Sequence, residues 1–199
     1  TDEGAAAIAT LPAVKKLSLA FSDVTDNGLR HVARLRTLEE LDLTGADIGD
    51  AGVEAIAGLT ALRKLNLRHG RFSDGALEKL RSLQRLEWLG LSNTSAADAA
   101  IPVIAGLPEL HVLHLDYTRV SDASIGQLAR LPLLEVLTLD SAGITDAGAA
   151  VLSTMKTLRE LNLYHTLVSE KGRKLLEKNL PSCRIVWDRE SALPNRRGS

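Results

Sequence analysis

The sequence predicts an α/β solenoid, in which short strands and helices alternate in stacked repeats of 24 residues. Two leucines separated by one residue recur at this interval, and no step is longer or shorter. Each pair is followed by a turn and a helix start. A fixed period of about 20 to 50 residues is typical of stacked-repeat architectures. The pairs are Leu17 and Leu19, Leu41 and Leu43, Leu65 and Leu67, Leu89 and Leu91, Leu113 and Leu115, Leu137 and Leu139, and Leu161 and Leu163.

The paired leucines predict a short strand in each unit. Side chains alternate across an extended chain, so both leucines of a pair point to one face and the residue between them points to the other. The leucines are therefore expected to stack inside. The intervening residues share little in size or charge, which indicates a solvent-exposed face: Ser18, Asp42, Asn66, Gly90, His114, Thr138 and Asn162.

A helix is predicted to begin a few residues after each strand. Ser or Thr stands before an acidic residue in most units, as in Thr145-Asp146. Hydroxyl N-caps and first-turn carboxylates both stabilise a helix start. Apolar residues then follow at the spacing of one buried helix face, for instance Val53, Ile56 and Leu59. We interpret the recurring carboxylates as helix capping and not as a cation site.

The repeats predict one domain over residues 1–188. Residues 1–11 match the helical half of a repeat, which indicates that the natural chain extends further N-terminally. Seven full repeats follow over residues 14–180, and a capping strand is predicted at about 183–187. The pattern of this last strand leaves open whether Val186 or the pair of Ile185 and Trp187 faces inward. Residues 189–199 have no periodicity and are predicted to form a flexible tail.

The units resemble the leucine-rich repeat family over residues 1–188. Residues 144–148, Ile-Thr-Asp-Ala-Gly, are similar to the I-T-D-x-G of the cysteine-containing subclass found in F-box proteins, although the subclass cysteine is absent. Residues 48–57 also resemble the GALA-type repeats of bacterial plant-pathogen effectors. The resemblance implies a leucine-rich-repeat solenoid with a parallel sheet on its concave side and helices on its convex side. Proteins of this family mostly bind other proteins, and any F-box or catalytic module would lie outside this chain.

Composition argues against several function classes. The 24 Lys and Arg residues balance 25 Asp and Glu residues, so no broad basic surface favours nucleic acid or an anionic membrane. No run approaches the ~18 apolar residues of a membrane helix. The single cysteine, Cys183, excludes an internal disulfide framework, and no spacing indicates a zinc site. No cofactor is predicted, a monomer is expected rather than an obligate oligomer, and the localisation is not determined.

Positions 24 residues apart become neighbours across the predicted sheet, about 4.8 Å from one strand to the next. One row of such positions places Trp88, Val112 and Val136 side by side facing solvent. An apolar cluster with Trp, Tyr and Arg has the composition of a binding hot spot. Gly90 leaves space next to the Trp88 ring, and in the alternative interpretation Trp88 folds flat and only shields its neighbours. The predicted partner-binding residues are Arg68, His69, Trp88, Asn93, Val112, His114, Asp116, Tyr117, Val136, Asp140, Tyr164 and His165.

Catalysis receives little support from the same residues. His69 and His165 lie four repeats apart, roughly 19 Å at one strand spacing per repeat, so they cannot share a metal ion. His114 and Asp116 have no obvious Ser or Cys nucleophile beside them. The sequence therefore predicts a non-catalytic module that binds a protein or peptide partner on the concave sheet face. The alternative function is a targeting or spacer segment of a larger protein, such as a secreted bacterial effector whose enzymatic module lies outside this chain.

Overall fold

The computed structural model describes residues 1–190, and its strands form one parallel sheet of eight members. Strands that follow one another in sequence are neighbours in the sheet, and a helix connects each strand to the next. The predicted α/β solenoid is confirmed. The strands are β1 (Lys16–Ser18), β2 (Glu40–Asp42), β3 (Lys64–Asn66), β4 (Trp88–Gly90), β5 (Val112–His114), β6 (Val136–Thr138), β7 (Glu160–Leu163) and β8 (Arg184–Trp187).

The strand register follows the sequence period. Leu41 pairs with Leu17 on one side and with Leu65 on the other, and the same 24-residue step continues to β7. Leu41 and its equivalents on β3 to β7 are at most 1% exposed, which confirms that the paired leucines stack inside. Leu17, on the first strand of the sheet, is only half-buried because it has a neighbour on one side alone.

The helices are short, and most span seven residues. They are α1 (Asp2–Ile8), α2 (Asp26–Val32), α3 (Asp50–Ile56), α4 (Asp74–Leu77), α5 (Ile101–Ile104), α6 (Asp122–Leu128), α7 (Asp146–Leu152) and α8 (Glu170–Asn179). A 3-10 helix at Glu78–Ser82 continues α4, and another at Asp98–Ala100 precedes α5. None of the helices within residues 1–190 has the length and apolar character needed to cross a membrane.

Stacked carboxylates join each repeat to the next, and this corrects part of the sequence interpretation. Hydroxyl N-caps are present as predicted, for instance at Ser121 and Thr145. The acidic residue at the start of seven helical segments, however, also accepts a hydrogen bond from the backbone N–H of the residue that precedes the next helical segment. The pairs are Asp2 with Thr25, Asp26 with Gly49, Asp50 with Ser73, Asp74 with Ala97, Asp98 with Ser121, Asp122 with Thr145 and Asp146 with Ser169. Capping of its own helix therefore explains only part of its recurrence.

The last strand resolves the open question of its register. In the pairing of β7 with β8, Leu161 stands opposite Ile185 and Leu163 opposite Trp187, so Ile185 and Trp187 take the inward positions. The Trp187 indole N–H donates to the Val168 carbonyl at 2.7 Å, which satisfies its one polar group. Of the tail predicted at 189–199, positions 191–199 lie outside the described residues.

Candidate functional site

The Trp88 side chain lies flat on the exposed face of β4. A Cβ atom added at Gly90 would come within 2.7 and 2.8 Å of two Trp88 ring carbons, so the ring occupies the space that the glycine leaves. Gly90 is buried beneath it. The expectation that Gly90 leaves room beside the ring is confirmed, whereas the expectation of an exposed residue at this strand position is wrong for Gly90.

Three side chains surround the Trp88 ring. The His114 ring centroid lies 5.0 Å away from the β5 side, with the two rings tilted by 54°. From the β3 side, Lys64 Nζ lies 4.9 Å and Arg68 Cζ 5.5 Å from the ring centroid. Both distances fall within the ~6 Å at which a cation over an indole ring is attracted. The ring is therefore held between two cations and an imidazole.

The apolar residues predicted to be adjacent are adjacent in the sheet. Trp88 pairs with Val112, and Val112 pairs with Val136. All three side chains are half-buried, so each still presents some surface to solvent. We call these three residues the apolar row. Lys64 precedes the row on β3, and Glu160 follows it on β7.

A short chain of hydrogen bonds lies beside the apolar row. The Thr138 hydroxyl donates to Asp116 Oδ2 at 2.6 Å, and His114 Nδ1 lies 3.1 Å from the same hydroxyl oxygen. Because the Thr138 hydroxyl has one proton and donates it to Asp116, Nδ1 of His114 is the donor in the hydrogen bond between His114 and Thr138. Thr138 is 7% exposed, so the expected exposure is wrong here as well. Its hydroxyl can be buried because both of its hydrogen-bond partners lie on the same sheet face.

The His114 imidazole is neutral at neutral pH. Burial lowers the pKa of His114, and the positive charge of Arg68 lowers it further. The carboxylates of Asp116 and Glu160 act in the opposite direction but are outweighed. His114 therefore contributes a ring surface and one donated hydrogen bond, and no positive charge.

The carboxylates of Asp116 and Asp140 are engaged by neighbouring groups. Asp116 accepts from the Ser92 hydroxyl at 3.0 Å and from the Asp140 backbone N–H at 3.0 Å, besides Thr138. Asp140 accepts from the Ser141 hydroxyl at 2.8 Å and lies 3.2 Å from His165 Nδ1. These hydrogen bonds tie the ends of β5, β6 and β7 together.

A row of residues with left-handed backbone follows the strands, and the sequence interpretation missed it. Its members are Phe21, Gly45, His69, Asn93, Tyr117, Ser141 and His165, all with positive φ. Gly45 and Asn93 are residue types that tolerate left-handed backbone. Their occurrence at equivalent positions of two repeats was the sequence signal that could have predicted this conformation. We call these residues the left-handed row. Phe21 is 78% exposed and Tyr117 52% exposed, so the row contributes an aromatic side chain that was not predicted.

The structure divides the twelve predicted residues into a centre and a rim. Arg68 and His114 join the apolar row at the centre, and the other seven lie at the strand ends or just beyond them. The Tyr164 and His165 rings contact each other at the β7 end, with centroids 3.9 Å apart. An open cavity of about 260 Å³ connects part of both groups and is lined by Arg68, His69, Asn93, Asp116, Tyr117 and Asp140, among others.

Two features of residues 1–190 bear on metal binding and on cysteine chemistry. Within residues 1–190, no group of three or more His, Cys, Asp or Glu side chains is placed to hold a metal ion. Burial raises the pKa of the Cys183 thiol, and the nearby Glu160 carboxylate raises it further. A raised pKa disfavours the thiolate, which is the nucleophilic form of cysteine.

Comparison with known proteins identifies the repeat and the fold. A family model described as "Leucine Rich repeat" matches residues 34–57, which is one 24-residue unit. No curated protein matches the chain significantly. Among the solved structures that match, an internalin (inlF) from Listeria monocytogenes has a TM-score of 0.71 at 23% identity, over 88% of this chain and 49% of that one. An internalin C2 (inlC2) from the same species has a TM-score of 0.66 at 23% identity, over 98% and 80%.

These similarities bear on the fold alone. The chain spans about half the length of the first internalin, so nothing about the whole of that protein transfers directly. At 23% identity the likeness establishes the repeat architecture and no more.

Proposed function

We propose that this leucine-rich repeat protein is a non-catalytic interaction module whose exposed sheet face binds a protein or peptide segment. The observation that carries the proposal is the apolar row. Three adjacent strands present Trp88, Val112 and Val136 side by side, and charged or polar residues surround them. An exposed apolar cluster with a polar rim is typical of interaction sites on soluble proteins.

The sheet suits binding without chemistry because it fixes the side chains before a partner arrives. Each strand of the apolar row is paired on both sides, and the inward leucines behind it, such as Leu89, Leu113 and Leu137, are fully buried. Ordering side chains at an interface costs ~0.5 to 1.5 kcal/mol for each one immobilised. A side chain that is already held by its neighbours loses less freedom on binding, so more of the contact energy appears as affinity.

Tyr117 supports the same proposal from the rim. Its φ of 54° lies in a backbone region that disfavours side chains, yet a large aromatic residue occupies it and remains 52% exposed. Left-handed backbone costs a non-glycine residue roughly 1 to 2 kcal/mol. Folding alone gives no reason to keep an exposed ring at this position, whereas a binding partner would.

Trp88 requires a test that separates binding from shielding, because its flat ring also covers Gly90. We therefore pair Trp88→Ala with Tyr117→Gly. The second variant removes a ring while relieving the left-handed backbone, so it should fold at least as well as the wild type. Leu175→Ala is the matched control, since Leu175 is an exposed apolar side chain on α8, away from the sheet.

The experiment selects peptides from a displayed random library on the immobilised protein and measures the dissociation constants of synthetic copies by fluorescence anisotropy. Trp88→Ala and Tyr117→Gly should each weaken binding about 30-fold, which corresponds to about 2 kcal/mol for an anchoring aromatic residue. Leu175→Ala should leave the dissociation constant unchanged. The proposal fails if the selected peptides bind both site variants as tightly as the wild type while circular dichroism shows an intact fold.

A further inference from the structure

We propose that the partner segment presents a carboxylate to Lys64 and Arg68, next to an apolar side chain that packs on the outer face of Trp88. This inference rests on the proposed function and adds the chemistry of the partner to it. An acidic peptide is the occupant that the cations beside Trp88 favour. The carboxylate would lie on the β3 side of the Trp88 ring.

Lys64 has no carboxylate partner among residues 1–190. Its ammonium group lies over the Trp88 ring, and no ion pair within 4.0 Å involves it. The carboxylate nearest to it in the register is that of Glu40 on β2, and Lys16 on β1 already engages Glu40 at 2.7 Å. The ion pair between β1 and β2 therefore uses the Glu40 carboxylate, and Lys64 on β3 is left without an ion-pair partner.

Arg68 provides a second and less exposed cation at the same place. Its Nε atom is buried and has no hydrogen-bond partner. Within residues 1–190 its guanidinium group makes no ion pair, and its neighbours at the equivalent positions are the neutral Thr44 and Ser92. Because no carboxylate neutralises it, the half-buried Arg68 guanidinium is available to an acceptor that another molecule supplies.

The carboxylates at the opposite end of the site already have partners. Asp116 accepts three hydrogen bonds, and Asp140 is engaged by Ser141 and His165. Glu160, at the far end of the apolar row, lies 3.2 Å from Arg184. His114 is neutral because burial lowers its pKa, so it adds no positive charge. Lys64 and Arg68 are therefore the Lys and Arg side chains of the site that have no ion-pair partner among residues 1–190, and both lie on the β3 side of Trp88.

A carboxylate fits this place better than a nucleic-acid backbone does. Charge-assisted hydrogen bonds from Arg and Lys to a carboxylate are strong, and the planar guanidinium can donate two in parallel. A chain of phosphates extending along the sheet would instead meet Glu40 on one side and Asp116 and Asp140 on the other. One or two carboxylates beside an apolar side chain match both the cations and the ring.

The test uses the peptides that depend on Trp88 in the selection described above. We expect them to carry Asp or Glu beside an apolar residue, and exchange of that acid for its amide should weaken binding about tenfold. In the double variant Lys64→Met, Arg68→Met, the acid-to-amide exchange should leave the dissociation constant unchanged, because the cations that bind the carboxylate are absent. Lys79→Met, which removes one positive charge from the helix side, should keep the full tenfold difference.

Several outcomes would overturn the inference, and they can be distinguished from one another. Trp88-dependent peptides without acidic residues would refute the carboxylate while leaving the proposed function intact. An equal effect of the acid-to-amide exchange in the wild type and in the double variant would refute the role of Lys64 and Arg68. Tighter binding of oligothymidylate than of the acidic peptides would identify nucleic acid as the occupant. Peptides that depend on Tyr117 but not on Trp88 would refute this inference and leave the proposed function intact, whereas dependence on neither residue would refute both.

Discussion

Replacing Asp98 with alanine tests whether the stacked carboxylates hold neighbouring repeats together. Asp98 lies at the start of the 3-10 helix before α5, and its carboxylate reaches the following repeat. It accepts from the Ser121 N–H at 2.8 Å, from the Ser121 hydroxyl at 2.5 Å and from the Ser124 hydroxyl at 2.5 Å. The substitution removes all three acceptor contacts at once and leaves the apolar core unchanged.

The expected loss follows from what each donor can do afterwards. A hydrogen bond to a charged group contributes ~1.5 to 3 kcal/mol, and a donor left without a partner adds its desolvation cost. The two hydroxyls can turn elsewhere, since Ser124 Oγ already lies 3.3 Å from the Ser121 carbonyl. The Ser121 N–H has its direction fixed by the backbone, so it loses its hydrogen bond without finding another acceptor. We therefore expect the free energy of unfolding to fall by about 2 to 3 kcal/mol in Asp98→Ala, and by about 1 kcal/mol in Asp98→Asn, which keeps one acceptor.

The loss should also depend on pH with a defined sign. Burial is the largest single effect on Asp98 and raises its pKa, but the hydrogen bonds from Ser121 and Ser124 together outweigh burial and lower it. The pKa is therefore lower in the folded state than its ordinary value of 3.8. The stabilisation is present above that value and is lost as the pH falls through the folded-state pKa. The difference between wild type and Asp98→Ala should accordingly narrow below about pH 3.8.

Urea unfolding followed by circular dichroism at pH 7 measures the effect, provided that the slope against urea concentration is unchanged. Asp23→Ala is the matched control, because Asp23 is exposed and no side-chain hydrogen bond is formed by it within residues 1–190. It should change stability by no more than about 0.5 kcal/mol. If Asp98→Ala loses no more than Asp23→Ala, the carboxylates do not stabilise the stack and the reasoning is refuted.

Two further predictions concern a glycine and a histidine. Gly148→Ala should destabilise the protein by about 1 to 3 kcal/mol in urea unfolding, because its Cβ would collide with Asp122 Oδ1 and Ile144. Gly126→Ala on α6, where a Cβ meets nothing within 4 Å, should instead stabilise it by about 0.5 to 1 kcal/mol, and equal effects of both would contradict this explanation. His114 should titrate by NMR at a lower pH in the folded chain than in urea, since burial depresses its pKa. The contribution of His114 to stability is then present above the unfolded-state pKa of about 6.5 and is lost as the pH falls through the folded-state pKa. A folded-state titration midpoint at or above the midpoint in urea would disprove this prediction.

The sequence predicted the strands well because one physical constraint sets them. Each inward leucine has to stack on the equivalent leucine of the next repeat, so any change in the interval would shift the register of the sheet. This is why Leu41, Leu65 and Leu89 could be placed side by side from their spacing alone. The adjacency of Trp88 and Val112 followed from the same interval.

Other features depend on contacts between repeats that a single repeat does not reveal. The spacing from Asp122 to Gly148 is 26 residues, and only the stacked structure shows that the glycine makes room for the carboxylate. The I-T-D-x-G pattern therefore describes two neighbouring units and not one helix start. The charges around Trp88 were likewise hidden, because Lys64 and Arg68 reach the ring from the preceding repeat.

The left-handed row carries side chains that the stacking of the repeats does not explain. Gly45 meets the backbone demand of its position without strain, and the six equivalent positions all carry other residues. If stacking alone selected these positions, glycine would be favoured at each of them. Large side chains such as His69 and Tyr117 persist there at a cost to folding, and they line the same open cavity as Arg68. The strained positions therefore support the proposal that this part of the repeat serves a partner, whereas the paired leucines serve the fold.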